Sequence, residues 1–302
     1  MSEVHEGGNS SSVESTVQTV VIYLIVIAIA VVGSYYLAQA LIPTPKIGVI
    51  ELVGPVGSIT EDVLSREVAY ARDADDIRGV LLIVNSPGGS ASAGHDIYYQ
   101  FRKLRETKPI VASMDILAAS AAYQIAVAAN EIYAKPASIV GNIGVIFSQP
   151  SPEVLSEQFT TTGPFKSTGG SATSYLQMLD LLHADFRDSV VAERTNAPNP
   201  LKLAPDEVAT GEIWVGIQAK ELGIIDEIGS RLDATDAVAR LANIENYEVV
   251  SVREQYLASL EGPELTSALA IYEKFDTTEV KFDLTSEETE WPSFYQLYVP
   301  VE

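Results

Sequence analysis

Residues 114–130 read MDILAASAAYQIAVAAN, and the serine at their centre, Ser120, is surrounded by small side chains. Two alanines precede it, two follow it, and an apolar run comes next. The pattern predicts a tight turn that opens directly into a buried helix, with one hydroxyl at the helix N-terminus, where backbone N–H groups face any anion formed beside it. The same pattern is also typical of an alanine-rich core helix in which Ser120 only caps the first turn.

Two neighbouring motifs favour a functional role for this serine. Residues 79–90 read GVLLIVNSPGGS, a β-branched apolar run that ends in a Pro-Gly-Gly turn, and residues 138–146 read SIVGNIGVI. The sequence pattern predicts strands that alternate with helices, and this alternation is typical of parallel βαβ units in an α/β core. Both SPGG and Ser120 follow strands, so we expect them at the carboxyl ends of the strands, where open α/β sheets place their ligand sites. The predicted strands are 46–54, 79–84 and 110–113, and the predicted helices that separate them are 61–72 and 91–106.

Composition excludes several classes of protein. The chain has 302 residues, of which 47% are hydrophobic, enough for a packed core and too many for a disordered protein. It has no cysteine, which removes disulfides and thiolate metal sites. The net charge of −22 repels nucleic acid, so we expect no nucleic-acid partner. Such acidity is typical of a protein kept soluble in high salt, where self-repulsion is screened.

The N-terminal part predicts a membrane anchor. Residues 1–16 are polar and are predicted to be disordered, whereas 17–42 carry no charge and form an apolar run. As a helix this run would span roughly 39 Å, more than the ~30 Å hydrocarbon core of a bilayer. A cleaved signal peptide is the alternative, but there is no basic region before the run. Lys46, just after it, weakly favours a cytoplasmic location for the domain that follows.

A serine nucleophile needs a base, and the sequence offers two kinds. His183 lies in a long predicted helix among acidic residues, and His95 lies in the helix after SPGG. Lys166 lies in a glycine-rich loop, FTTTGPFKSTGGS, and a lysine can act as a base when burial keeps its amine neutral. The alternative interpretation of Lys166 is an ordinary surface lysine, and that of His183 is a residue on a solvated helix face.

The order of these motifs resembles the signal peptide peptidase A family of serine proteases over residues 46–242. In that family the base is a lysine in a glycine-aromatic-lysine segment, followed by a helix that leads to a V-A-x-x-R pattern. Here the corresponding residues are Gly163, Phe165 and Lys166, followed by a helix that contains VAER, with one residue fewer between the alanine and the arginine. The resemblance implies that Ser120 is the nucleophile and Lys166 the general base.

The resemblance also implies an oxyanion hole and a fold. The backbone amides of Gly89 and Ala121 would form the hole, with Gly88 as the alternative donor. The fold would be the caseinolytic-protease/crotonase-like β/α spiral, occupying residues 46–252 behind one transmembrane helix, with an acidic extension over 253–302. In that family the serine and lysine act without a metal and without a cofactor, so none is expected here.

Partners and location follow from the same resemblance. The family forms rings in which serine and lysine can come from adjacent subunits, so we expect a homo-oligomer. The catalytic domain is expected on the outer face of the cell membrane, against the weak indication of Lys46. The expected reaction is hydrolysis of signal-peptide remnants or other hydrophobic peptides.

Two departures from the family pattern affect the expected site. The family has glycines after the nucleophile where this chain has Ala121 and Ala122, and a methyl at each position is expected to narrow the substrate groove. The family also has a serine that orients the lysine, and here that position is Asn142, whose amide oxygen can accept from an ammonium.

Three alternatives stay open at this point. The first is a related membrane protease that acts on a stomatin-like partner. The second is a crotonase-type thioester enzyme, which would need acid/base carboxylates and a coenzyme A site that the acidity disfavours. The third is a non-catalytic scaffold, which the presence of both Ser120 and Lys166 in matching contexts disfavours.

Overall fold

The structure is a computed structural model that describes residues 10–41, 44–147, 162–166 and 168–280. The chain divides into two units, with the boundary between Thr44 and Pro45. The described part of the first unit is one helix, α1 (Ser10–Leu41). Within it, Val17–Ser34 has the length and composition of a membrane-crossing helix.

α1 begins earlier than the sequence predicts. Residues 10–16 belong to the helix, whereas the whole of 1–16 was expected to be disordered. The helix extends over these residues because adding residues to an existing helix costs far less free energy than nucleating a new one. Residues 1–9 and 42 of the predicted segments lie outside the described residues.

The second unit alternates strands and helices, as the sequence predicts. Its described strands are β1 (Lys46–Val53), β2 (Ile77–Ser86), β3 (Ile110–Ala119), β4 (Glu131–Ala134), β5 (Ile139–Gly141), β6 (Ile213–Val215), β7 (Glu227–Ile228) and β8 (Glu248–Ser251). Its described helices are α2 (Ser58–Asp73), α3 (Ala91–Arg105), α4 (Ala121–Ala126), α5 (Ala172–Thr195), α6 (Pro205–Val208), α7 (Gly216–Leu222), α8 (Arg231–Ala242), α9 (Val252–Ala258) and α10 (Gly262–Val280).

All these strands belong to one sheet, with the order β6-β5-β3-β2-β1-β8 and with β4 and β7 attached beside β3. The pairs are parallel except for β5 with β6. β2 is buried along almost its whole length, because helices cover both faces of the sheet. The predicted α/β fold of the caseinolytic-protease/crotonase type is confirmed.

β3 is the strand at which the sheet divides. Its first half pairs with β4 over 111–114, and its second half pairs with β5 over 117–119, while β2 runs along its other edge. The predicted strand 110–113 is therefore too short, because residues 114–119 find a second partner that the local sequence does not reveal. The helix after Ser120 is correspondingly short, ending at Ala126.

A buried ion pair ties α5 to the loops beside β4 and β7. Both terminal nitrogens of Arg194 donate to the carboxylate of Asp226 at 2.8 Å, and the two side chains are 3% and 1% exposed. Asp226 also accepts from the backbone N–H groups of Ile132 and Asn199. Both carboxylate oxygens of Asp226 accept hydrogen bonds. Removing either Arg194 or Asp226 would therefore leave an uncompensated buried charge, which typically costs about 3–5 kcal/mol of stability.

The C-terminal helix α10 packs on α2 around a buried carboxyl group. Val63 of α2 contacts Tyr272 and Phe275 of α10 in one apolar cluster. Glu67 lies beside this cluster, 2% exposed, with the Arg253 guanidinium 3.5 Å from its carboxylate. Burial raises the pKa of Glu67 to about 7, and the charge of Arg253 opposes this shift without cancelling it. The rest of the predicted C-terminal extension, residues 281–302, lies outside the described residues.

We expect Glu67→Gln to remove a pH-dependent part of the stability. The pKa of Glu67 rises from 4.5 to about 7 on folding, so between these values the folded protein keeps a proton that the unfolded chain has released. The stabilisation by protonated Glu67 is therefore complete below the unfolded pKa of 4.5 and is lost as the pH rises through the folded pKa of about 7. The free energy of unfolding falls by about 3 kcal/mol over this interval. Urea denaturation of both chains at several pH values between about 5 and 8 measures it. An unchanged difference between the chains over this interval would contradict the expectation.

Candidate active site

Ser120 lies at the junction of β3 and α4 in a strained backbone conformation. Its φ is 55° and its ψ is −129°, a region that residues with a β-carbon rarely occupy. The Ser120 N–H donates to the Gly141 carbonyl at 2.9 Å, and the Ser120 carbonyl accepts from the Gln124 N–H at 3.0 Å. The Ser120 side chain makes no capping hydrogen bond to α4, so the simple helix-cap interpretation is wrong. Strain of this kind costs about 1–3 kcal/mol and occurs mainly at functional sites.

The SPGG loop meets the serine turn in direct backbone contact. Gly88 has a φ of +91°, and a β-carbon placed on it would lie 2.7 Å from the Ser120 β-carbon and 2.9 Å from the Ala121 nitrogen. Gly89 has a φ of +153°, and a β-carbon there would lie 2.2 Å from the Val56 carbonyl oxygen. Both positions therefore require glycine, for lack of space as well as for conformation.

The backbone amides beside Ser120 differ in whether they already have a partner. The Gly88 N–H donates to the hydroxyl of the fully buried Ser86 at 3.2 Å. Among the described residues, no acceptor pairs with the N–H of Gly89 or of Ala121. These two amides are the ones left available to an anion that forms next to Ser120.

A cavity of about 510 Å³ opens at Ser120. Its lining includes the loop 87–91, the serine turn and residues 144–147, which all follow the carboxyl ends of strands. The remaining wall comes from Pro55 and from two polar and two apolar side chains of helices: His95, Gln124, Leu182 and Phe186. Such a cavity, apolar with few polar groups, is suited to bind a hydrophobic side chain.

Lys166 does not line this cavity. It lies on the described segment 162–166, where its side chain is exposed. The burial that a lysine base needs is therefore not provided by the described residues of its own chain. The predicted pairing of Ser120 with Lys166, which the sequence analysis allows between adjacent subunits, stays a prediction.

Asn142 is bound to the neighbouring loop. It has a φ of 54°, a conformation that asparagine tolerates better than most residues. Its side-chain nitrogen donates to the Gly211 carbonyl at 2.8 Å, and its backbone N–H donates to the Glu212 carbonyl at 2.7 Å. The side-chain oxygen is the atom that remains for an ammonium group, so the predicted orienting role stays a prediction.

The two alanines after Ser120 have different surroundings. Ala122 is fully buried, so its methyl group does not narrow the cavity as expected. Ala121 does line the cavity, and its methyl group is so close to α3 that a β-carbon on Gly94 would lie 2.9 Å from it. The expected narrowing is therefore limited to Ala121.

The histidines of the second unit have structural partners. The Nε2 of His183 donates to the Ala209 carbonyl at 2.6 Å, and His183 does not line the cavity. His95 does line it, and its Nε2 contacts the Asp185 carboxylate on α5. The sequence analysis placed His95 in the helix after SPGG without giving it a partner. Its position in the first turns of that helix, next to the glycine loop, was the signal that it would face the site.

We expect Gly88→Ala to destabilise the fold, because the added methyl group would overlap the Ala119 carbonyl, also 2.7 Å away, and the Ser120 side chain. The expected loss is about 2 kcal/mol or more in the free energy of unfolding. Gly57→Ala is the matched control, since no atom lies within 4 Å of its β-carbon position. Chemical denaturation of both variants gives the comparison, and equal stability of the two would refute the contact.

Comparison with known proteins agrees with this geometry. The sequence model of peptidase family S49 matches residues 102–245, and the model described as Clp protease matches residues 44–142. A protein from Synechocystis sp. that bears a protease name is 30% identical over 214 residues, which are 66% of this chain and 76% of the relative. The chloroplastic serine protease SPPA of Arabidopsis thaliana is 26% identical over 230 residues, 71% of this chain and 33% of the relative.

A protein from Methanocaldococcus jannaschii that also bears a protease name is 34% identical over 191 residues, 58% of this chain. The chain spans 60% of the length of that relative and 33% of the length of the plant protease. The matched regions include the SPGG loop, the serine turn and the helix α5. The chain therefore belongs to peptidase family S49, the signal peptide peptidase A family.

Proposed function

We propose that this protein is a membrane-anchored serine endopeptidase in which Ser120 is the nucleophile and Lys166 the general base. The observation that carries the proposal is the strained Ser120, which lines an apolar cavity together with two backbone amides that have no acceptor among the described residues. Membership of peptidase family S49 supports the reaction class. The family resemblance supplies the lysine.

In the proposed mechanism the hydroxyl oxygen of Ser120 attacks the peptide carbonyl carbon, and its proton passes to the neutral amine of Lys166. The negative oxygen that forms accepts hydrogen bonds from the Gly89 and Ala121 amides, which are preferred to Gly88 because the Gly88 amide is already bound to Ser86. The lysine ammonium then gives its proton to the leaving amine. Water releases the acyl group from Ser120 by the same two proton transfers in reverse order.

The lysine in this mechanism is proposed to come from a neighbouring copy of the chain. Lys166 is exposed in its own subunit and does not line the cavity, so a second subunit is needed to bring a lysine next to Ser120. The apolar side chains exposed near the site on α5, Leu176 and Leu181, offer a surface for such a contact. Asn142 is proposed to orient the incoming ammonium through its side-chain oxygen.

The proposed substrates are hydrophobic peptides, including remnants of signal peptides. The cavity walls are mostly apolar, and α1 has the length and composition to hold the catalytic unit at a membrane, where such peptides are released. We place the catalytic unit on the outer face of the cell membrane, as the family resemblance implies. A protein partner of the stomatin type remains the alternative source of substrate.

We expect Ser120→Ala to abolish hydrolysis of a hydrophobic peptide by the detergent-solubilised full chain. Removing the hydroxyl deletes the nucleophile, whereas alanine fits a turn already built of alanines, so the melting temperature should hardly change. Peptide cleavage followed by mass spectrometry, together with thermal unfolding, gives both readouts. Cleavage at the wild-type rate by the variant would exclude Ser120 as the nucleophile.

The shared site predicts complementation between two inactive chains. We expect Lys166→Arg to be inactive, because a guanidinium stays protonated and cannot accept the serine proton. Mixing it with Ser120→Ala under conditions that exchange subunits should restore activity, since about one interface in four then has both groups intact. Lys103→Arg, at an exposed lysine paired with Glu106, is the control and should keep wild-type activity. An active Lys166→Arg chain would remove the lysine from the mechanism, and failure to recover activity in mixed oligomers would place both groups in one subunit.

A further inference from the structure

α3 and α5 face each other across a row of polar contacts that starts at the cavity. At the end far from the cavity, the Glu193 carboxylate of α5 is 10% exposed. It accepts hydrogen bonds from two side chains of α3, Tyr98 at 3.0 Å and Arg105 at 2.8 Å, and it forms an ion pair with Nε of Arg102 at 2.9 Å. The positions on α3 follow the spacing of one helical face. This end of α5 is therefore fixed to α3 independently of the site.

The end of α5 near the cavity has far less packing. The buried residues of α5 are Phe186, Val190 and Arg194, all in its second half. In the first half, Leu176 and Leu181 are exposed. The position of this half, which follows the segment that carries Lys166, depends on the contacts made where the helix first reaches the domain.

Side chains of α5 make those contacts at three points. Near the start of the helix, the Tyr175 ring stacks on Phe147 of the cavity wall, with the ring centroids 5.1 Å apart. Further along, His183 donates to the Ala209 carbonyl on one side of the helix. On the other side, the Asp185 carboxylate contacts Nε2 of His95, a residue of the cavity wall on α3. Asp185 lies between Leu182 and Phe186 in sequence, and both of these also line the cavity.

His95 contacts an acceptor through each of its ring nitrogens. Its Nδ1 lies 2.8 Å from the Ala91 carbonyl oxygen of its own helix, and its Nε2 contacts the Asp185 carboxylate. The second contact is the one that joins α3 to α5 beside the cavity.

We infer that the contact between His95 and Asp185 positions the α5 wall of the cavity against α3 and thereby sets which substrate side chain the cavity accepts. The ring of His95 is itself part of the wall, and the carboxylate that holds it is on the same turn as Leu182 and Phe186. Releasing the pair lets this turn move away from α3. The cavity then widens at the point where a side chain next to the scissile bond would bind.

The kinetic consequence presupposes the peptidase activity proposed above. His95 and Asp185 are positioning residues, so their loss should weaken substrate binding more than the chemical step. For the best peptide we expect Asp185→Asn to raise KM about fivefold with kcat nearly unchanged. The preference for this peptide over one with tryptophan at the same position should fall by a similar factor. Because the two side chains are 21% and 52% exposed, the pair adds little to stability, and the melting temperature should stay close to that of the wild type.

The experiment is a double-mutant cycle in the full chain, with Asp185→Asn, His95→Phe and the two combined. His95→Phe keeps a planar ring in the wall and removes both N–H groups. If the pair acts as a unit, the combined variant should show the same KM and the same relaxed preference as the worse single variant. Asp188→Asn is the matched control, because it also removes a carboxylate from α5. Among the described residues, the Asp188 carboxylate pairs with Arg187 alone, at the surface. Additive effects, or equal effects of Asp188→Asn and Asp185→Asn, would overturn the inference.

A second readout does not depend on activity. Amide hydrogen exchange of α5, followed by mass spectrometry, should become faster over 172–186 in Asp185→Asn and in His95→Phe but not in Asp188→Asn. Wild-type exchange in the first two variants would refute the positioning role even if peptidase activity were absent. An inactive wild-type chain with the expected exchange pattern would instead refute the proposed function and leave the positioning role of the His95–Asp185 contact supported.

Discussion

The backbone at Gly88 touches the backbone at Ser120 with no room for a side chain between them, and the rest of the site follows from this contact. The two loops extend from β2 and β3, neighbouring parallel strands. Their separation is therefore set by the sheet and not by flexible side chains. The amides of Gly89 and Ala121 come from different loops, and the sheet sets the distance between these loops. The anion site proposed for these amides would therefore need no rearrangement when charge develops.

Local sequence patterns were sufficient for the elements that carry this contact. β2 is a continuous apolar run because it is buried on both faces, and the Pro-Gly-Gly turn that follows it has few alternatives to a sharp bend. The helix α3 starts where Ser90 caps its first turn, a preference that can be read from sequence. The predicted positions of the SPGG loop and the serine at strand ends are those in the structure.

Contacts between distant parts of the chain were not predictable in the same way. β4 and β7 have four and two residues, too few to produce a periodic pattern. His95 and Asp185 are 90 positions apart, and neither residue alone indicates the other. The exposure of Lys166 is a property of one subunit, whereas the role proposed for it belongs to an assembly. The family resemblance supplied that role because the physical pattern around the lysine, glycines and one aromatic residue, fits a surface loop equally well.

The division of β3 has a consequence for how the site fails when the protein is stressed. A strand with partners on both edges along most of its length cannot fray from one side, so β3 belongs to the part of the fold that opens last. Ser120 is attached to the end of this strand, whereas the buried side chains of α5 lie in its second half and its first half is held by one aromatic stack and a few polar contacts. Partial unfolding would therefore release the α5 part of the cavity wall first and leave Ser120 and the glycine loop in place. The cavity would then form again on cooling, since refolding needs only to return one helix to an intact sheet.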